Sequence, residues 1–169
     1  MTVITEDSLE FTFPTGYEAF KLDEVSYYRS HLQNKFSGTK SVDFVCYETN
    51  GTNAYLIEVK DYSTHARTKK IPIEEEISLK VRDSLWILSA IANECNDTNV
   101  SALARQFHAK TKIHVYLHLE QPYTARAFHP ILSEANLTTA LNRILKPVTG
   151  KARLSNITRN GSPWTVRRI

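Results

Sequence analysis

Residues 42–60 read VDFVCYETNGTNAYLIEVK, and this stretch decides the fold. Two runs rich in apolar and β-branched residues flank Asn50-Gly51, a dipeptide typical of a tight β-hairpin. If these two residues form the turn, residues at equal distances from it lie opposite each other, so Phe44 faces Ile57. The sequence therefore predicts an antiparallel hairpin with a defined register.

The same register brings three charged side chains together. Asp43 lies opposite Glu58, and Lys60 shares a face of the strand with Glu58 because side chains alternate between the two faces. Two directly opposed carboxylates, with Cβ atoms about 4.5–5.5 Å apart, repel each other. A hard cation such as Mg²⁺, which binds one or two carboxylates together with water and phosphate oxygens, would remove that repulsion. The alternative is a solvated charged face on an edge hairpin.

Hydrophobic periodicity predicts the elements around the hairpin. The predicted helices cover residues 23–36, 73–94, 101–108 and 136–146, and the further strands cover residues 9–13, 112–120 and 164–169. Strand 9–13 is expected at the edge of the sheet. Helices and strands in this order indicate an α/β or α+β domain built around one mixed sheet.

Length and composition favour an ordinary globular protein. The chain has 169 residues, 41% of them apolar and 23% charged, which predicts one domain over residues 1–169. No apolar run reaches the roughly 18 residues that a membrane span needs, and the first residues lack the pattern of a signal peptide. The two cysteines do not make a disulfide framework. We therefore expect a cytoplasmic protein with no membrane partner.

The net charge of +3 is divided unevenly along the chain. Residues 1–134 carry 14 basic and 18 acidic side chains, whereas residues 135–169 carry 7 basic and no acidic ones. This asymmetry favours an anionic partner for the C-terminal flank, residues 135–169. The first candidates for contacts to nucleic acid are Arg143, Lys146, Lys151 and Arg153. The alternative is a basic segment that only balances the acidic remainder.

The Asp43…Glu58-Val59-Lys60 layout on a hairpin with helices before and after it resembles the PD-(D/E)xK, or restriction-endonuclease-like, nuclease superfamily. The resemblance covers roughly residues 23–120 and is to the small stand-alone bacterial type. A Glu-x-Lys triplet alone carries little information, so the strand context, the upstream aspartate and the register carry the resemblance. Val42 stands where the name-giving proline would be. The resemblance implies a core of α-β-β-β-α-β type and a Mg²⁺- or Mn²⁺-dependent endonuclease.

The resemblance also implies roles for individual residues. Asp43, Glu58 and the backbone carbonyl of Val59 match the metal ligands, and Lys60 matches the lysine that orients or polarises the attacking water. Two auxiliary residues are expected from the helices. An acid from the first helix is assigned to Glu24, with Glu18 in reserve, and a polar residue from the second helix is assigned to Lys80.

The expected function is therefore hydrolysis of phosphodiester bonds in nucleic acid, with DNA as the expected substrate. A homodimer is compatible with the superfamily, since cutting two strands often uses two copies. The alternative function is a catalytically idle module of the same fold that binds nucleic acid or a protein partner.

Overall fold

The computed structural model describes residues 1–36, 38–122, 124 and 131–169, and in these residues the chain forms two β-sheets and three α-helices. The strands are β1 (Thr2–Glu6), β2 (Leu9–Phe13), β3 (Tyr17–Phe20), β4 (Phe44–Glu48), β5 (Asn53–Asp61), β6 (Lys112–Glu120), β7 (Arg153–Ser155) and β8 (Thr165–Arg168). The helices are α1 (Ile73–Glu94), α2 (Thr98–His108) and α3 (Glu134–Leu145). The fold is thus mixed α and β, as the sequence predicts.

The larger sheet is mixed and has the strand order β3-β4-β5-β6-β7. Strands β3, β4 and β5 are antiparallel neighbours, whereas β5, β6 and β7 are parallel. Helices α1 and α2 connect β5 to β6, because a parallel pair needs a long crossover. This sheet carries the predicted hairpin at its centre.

The predicted hairpin register is confirmed. Phe44 pairs with Ile57 in the β4–β5 ladder. Strand β4 ends at Glu48 and strand β5 begins at Asn53. The backbone and side-chain amides of Asn53 both donate to the Glu48 carboxylate. A Cβ on Gly51 would lie 2.8 Å from Cβ of Glu48, so glycine is required for this close approach.

Two sequence-based predictions about the sheet are wrong. Strand β2 was expected at the edge of a sheet but lies at the centre of one, and the strands form two sheets rather than one. A second, three-stranded sheet has the order β1-β2-β8, with β2 at its centre. Leu9, Phe11 and Phe13 are fully buried in β2, because this face packs on the larger sheet. Strands β1, β3 and β7 were not predicted, since they are short or lack strong alternation.

The prediction of an α-helix over residues 23–36 is also wrong. The chain forms a 3₁₀ turn at Leu22–Glu24 and a π-helical segment at Tyr28–Gln33 instead. Neither segment begins with a side-chain cap, which removes a main source of α-helix initiation. The buried Tyr28 and Leu32 still provide the apolar face that produced the helical pattern.

The larger sheet is covered on both faces. Alternate residues of β4 and β5, such as Val45 and Leu56, pack against the helices in one hydrophobic cluster. Their neighbours Phe44 and Ile57 pack against β2 in a second cluster. The predicted helix 73–94 and strand 112–120 are confirmed at both ends.

The basic C-terminal flank is an integral part of both cores. Leu141 of α3 is buried in the helical cluster, and Trp164 is buried in the cluster between the sheets. The flank also supplies β7 to the larger sheet and β8 to the smaller one. None of the helices within the described ranges is long and apolar enough to cross a membrane.

Candidate functional site

The site lies where the C-terminal end of β5 meets the residue before β4. Glu58 is completely buried on the helix-facing side of the sheet, and Asp43 directly precedes β4. The Asp43 carboxylate accepts a 2.6 Å hydrogen bond from the backbone N–H of Val59. This bond fixes the aspartate against the next strand, so the structure brings the two acids together as the hairpin register predicts.

Two lysines balance the two acids. Lys60 donates to Oε1 of Glu58 at 2.5 Å, and Lys80 of α1 donates to the same oxygen at 2.6 Å. The Lys80 ammonium also lies 3.4 Å from Oδ1 of Asp43. Burial alone would lower the pKa of both lysines, but the neighbouring carboxylates raise it above the usual value. Lys80 therefore occupies the cationic position between the acids.

The second carboxylate oxygen of Glu58 has a different environment. Oε2 is buried and has no hydrogen-bond partner among the described residues. Burial, with a smaller effect from the Asp43 charge, raises the pKa of Glu58 to about 7 despite Lys80 and Lys60. A buried acceptor without a partner is costly in a folded protein. An ion or a water molecule bound at this oxygen would remove that cost.

A third acid, Glu76, was not predicted at the site. It lies in the first turn of α1, buried, with Oε1 3.4 Å from the Lys60 ammonium and 2.5 Å from that of Lys69. Its Oε2 accepts from Arg67 at 2.9 Å. Burial alone would raise the pKa of Glu76, but these three cations lower it to about 2. The sequence signal is its spacing of four residues from Lys80, which places both on one helix face.

A cleft of about 260 Å³ opens beside Asp43, Val59 and Lys60. Glu6, at the end of β1, also lines this cleft, and its carboxylate contacts Lys21 at 2.6 Å. Burial raises the pKa of Glu6, Lys21 opposes this effect, and the charge of Asp43 adds to it. Glu6 is therefore the acid that the small sheet contributes near Asp43.

The predicted auxiliary acids lie elsewhere. The Glu24 side chain is 61% exposed and contacts Lys21 at 3.7 Å, and it does not line the cleft in the described part of the chain. The reserve candidate Glu18 is on β3, opposite Tyr47, two strands away from β5. The assignment of an auxiliary acid depended on a first helix, and residues 22–33 form a 3₁₀ turn and a π-helical segment instead. Lys80, by contrast, reaches both central acids.

None of the predicted nucleic-acid contacts lines the cleft at the candidate site in the described part of the chain. Arg143, Lys146, Lys151 and Arg153 are all exposed. Lys151 and Arg153 line a cleft of about 400 Å³ together with Lys112 and His114. Lys112 pairs with Asn53 and Leu119 pairs with Lys60, so seven residues of β6, roughly 23 Å, separate the Lys112 end of this cleft from the site. Arg153 is nearer, since it pairs with Tyr116, three residues from Leu119.

A buried polar chain between the sheets is a separate feature. Nδ1 of His118 lies 3.2 Å from Oγ of Ser155, and Nε2 lies 3.0 Å from Oε1 of Glu120. The residue types match those of a hydrolase triad, but His118 is 0% and Ser155 2% exposed. A nucleophile buried in this way cannot meet a substrate, so we assign the chain to the core.

No protein-family model, curated protein or solved structure matches this chain. The assignment of a function therefore depends on the chemistry of the site and on the fold. Two carboxylates and two lysines meet near the end of β5, and Oε2 of Glu58 has no hydrogen-bond partner in the part of the chain that the structure describes.

Proposed function

We propose that this protein is a metal-dependent nuclease that hydrolyses phosphodiester bonds in nucleic acid, with DNA as its substrate. The observation that carries the proposal is the arrangement of Asp43, Glu58 and Lys60 at the end of β5, where Oε2 of Glu58 is buried and has no partner in the described ranges. A buried carboxylate with one free oxygen, next to a second carboxylate, is a ligand set that suits a hard cation.

The topology also supports this proposal. Three antiparallel strands, β3 to β5, are followed by helices and then by β6, which is parallel to β5. This order is similar to the β-β-β-α-β part of the core that the resemblance to the PD-(D/E)xK superfamily implies, except that two helices, α1 and α2, connect β5 to β6. The expected helix before these strands is represented only by the short segments between β3 and β4. The acids and Lys60 lie on the second and third of the antiparallel strands, or next to them.

The proposed metal is Mg²⁺ or Mn²⁺, held by Asp43, Glu58 and the carbonyl of Val59. Within the described ranges there is no group of three or more His, Cys, Asp or Glu side chains that could hold a metal. The two carboxylates still suit Mg²⁺, which usually takes one or two carboxylates and completes its shell with water and phosphate oxygens. When bound, such an ion lowers the pKa of water and neutralises phosphate charge.

Side chains and backbone groups of the protein would position the acids, the attacking water and the phosphate. Lys60, 15% exposed and on the edge of the cleft, can donate to a phosphate oxygen or orient the attacking water. Lys80 compensates Glu58 and Asp43 from the helix side and so holds the acids in place. The Val59 N–H fixes the Asp43 carboxylate. These contacts preorganise the acids before a substrate arrives.

The test is cleavage of plasmid and single-stranded DNA with Mg²⁺ or Mn²⁺, comparing the wild type with Lys60→Ala. Lys35→Ala, at an exposed position, is the matched control. We expect metal-dependent cleavage that Lys60→Ala reduces by at least 100-fold, in the range for a group that acts on developing charge or a transferred proton. No cleavage of DNA or RNA by the wild type would refute the enzyme, and full activity of Lys60→Ala would refute the assigned site.

One observation favours the alternative of a catalytically idle module. Lys60 and Lys80 already balance the charges of Asp43 and Glu58, so the acids are stable together without a metal ion. Calorimetric titration with Mn²⁺ separates the two functions. The nuclease requires Mn²⁺ binding that Asp43→Ala abolishes, whereas the idle module binds no Mn²⁺. Sedimentation of the same samples tests the proposed homodimer.

A further inference from the structure

The cleft beside Lys60 has two walls of opposite charge. The turn after β1 forms one wall, with Glu6 and the exposed Asp7. Residues 62–69, which follow β5, form the other wall and include Arg67 and Lys69. The site residues Asp43 and Lys60 line the same cleft. An anionic ligand that enters this cleft would therefore lie against residues 62–69.

Arg67 is the donor of the basic wall with two hydrogen bonds to the protein. Its guanidinium bonds to Glu76 through Nη2 at 2.9 Å and to the backbone carbonyl of Lys69 through Nη1. Its Nε–H is buried and has no hydrogen-bond partner among the described residues. A buried N–H without an acceptor carries a desolvation cost of about 1–3 kcal/mol. Because Arg67 lines the cleft, a ligand oxygen that reached this N–H would remove that cost.

The basic wall also has more positive charge than its acid can balance. Glu76 is the common partner of Arg67, Lys69 and Lys60. Lys60 has a second acid in Glu58, but Arg67 and Lys69 together face one carboxylate. Lys69 is also 47% exposed, so its ammonium can turn towards a ligand. This excess of positive charge over negative charge favours the binding of a phosphate, since guanidinium and ammonium groups are the usual partners of phosphate in proteins.

We propose that Arg67 and Lys69 bind a backbone phosphate of the nucleic acid next to the phosphodiester that is hydrolysed at Asp43, Glu58 and Lys60. This inference deepens the proposed function and rests on it for the identity of the ligand. It assigns the phosphate contacts nearest the reacting bond to residues 62–69 rather than to the C-terminal flank. The cleft lined by Lys151 and Arg153 includes neither Asp43 nor Lys60, and its end at Lys112 lies roughly 23 Å from Lys60 along β6.

The experiment measures binding without cleavage. A fluorescein-labelled single-stranded DNA oligonucleotide is titrated in EDTA, with fluorescence anisotropy as the readout, at several salt concentrations. We expect Arg67→Gln to weaken binding at least tenfold, as for the loss of a charge-assisted hydrogen bond. The slope of log affinity against log salt should fall by about 0.7, the value for one phosphate contact on a single strand. Arg82→Gln, an exposed arginine of α1 outside the cleft, is the matched control.

A second variant distinguishes direct phosphate binding by Arg67 from a structural role of Arg67 in holding residues 62–69 in place. Glu76→Gln removes the acid that anchors Arg67 and Lys69 but leaves both cations free for phosphate. We expect this variant to bind DNA as tightly as the wild type or more tightly. Equal weakening by Arg67→Gln and Glu76→Gln would overturn the proposal, because loss of the wall alone would then explain both. Unchanged binding by Arg67→Gln would overturn it as well.

The outcome is independent of the cleavage test. Arg67-dependent binding without metal-dependent cleavage would support the phosphate site and refute the nuclease. Metal-dependent cleavage with unchanged binding by Arg67→Gln would refute the phosphate site alone.

Discussion

The ammonium group of Lys80 lies 2.6 Å from Oε1 of Glu58, and this contact joins helix α1 to strand β5 at the candidate site. Glu58 is completely buried and Lys80 is 12% exposed, so solvent compensates neither charge well. An isolated buried charge costs several kcal/mol. The two residues therefore depend on each other, and the stability of the protein should report on the charge state of the site.

Lys80→Met should destabilise the protein and increase its response to metal. In EDTA we expect a loss of about 3 kcal/mol, the lower end of the cost of breaking a buried pair, because Lys60 still contacts Glu58. Mn²⁺ should raise the melting temperature of the variant more than that of the wild type. Thermal unfolding with EDTA or Mn²⁺ measures both effects, with the exposed Lys35→Met as control. An equal response to Mn²⁺ would show that Lys80 does not compete for the cation position.

The raised pKa of Glu58 predicts a loss of stability at neutral pH. The folded pKa of about 7 exceeds the ordinary pKa of 4.5, so the folded state binds the proton more tightly than the unfolded state. This contribution is full below about pH 4.5 and is lost as the pH rises through about 7, a change of about 3 kcal/mol. Urea unfolding from pH 5 to 8 should therefore show the wild type losing stability relative to Glu58→Gln. Parallel profiles of the two proteins would contradict the prediction.

Asp61 should have the opposite dependence on pH. Burial alone would raise its pKa, but Arg168, Ser63 and Ser8 donate hydrogen bonds that hold it well below the usual range. The stabilisation is therefore present above about pH 4 and is lost as the pH falls through the lowered value. Asp61→Asn should cost about 1–2 kcal/mol at pH 7, since Arg168 is partly exposed.

Urea unfolding of Asp61→Asn at pH 7 and pH 2.5 provides the measurement. The difference from the wild type should become smaller at the lower pH. A constant difference would mean that the Asp61 charge contributes nothing, and that only the shape of the side chain matters.

The basic cleft at the far end of the sheet should contribute affinity without sequence preference. We expect the double variant Lys151→Gln with Arg153→Gln to weaken binding to all duplexes and to lower the salt slope by up to about 1.8. Arg167→Gln is the control from the same flank, since Arg167 already pairs with Glu10. Anisotropy with two unrelated duplexes in EDTA provides the test. Unchanged affinity would favour a flank that only balances the acidic remainder of the chain.

The parts of the fold that the sequence predicted are those determined by local periodicity. Helix 73–94 and strand 112–120 have long patterns of one period, and both were predicted with their observed bounds. The hairpin register followed from Asn50-Gly51, because an uninterrupted antiparallel ladder fixes every pair once one is known. The short strands β3 and β7 and the π-helical segment lack such patterns, and pairing with distant residues decides them.

The residues of the candidate site also fall into those that the local sequence predicts and those that tertiary packing brings together. The sequence by itself determined that Asp43, Glu58 and Lys60 would meet, because they are close in one hairpin and alternation of side chains sets their faces. Only the tertiary structure decided which cations and acids surround them. Lys80 reaches Glu58 because α1 packs against the larger sheet. Arg67 lies beside the site because it bonds to Glu76 of α1, and Glu6 lines the same cleft from a separate sheet. Such contacts between distant segments depend on packing, which no local pattern records.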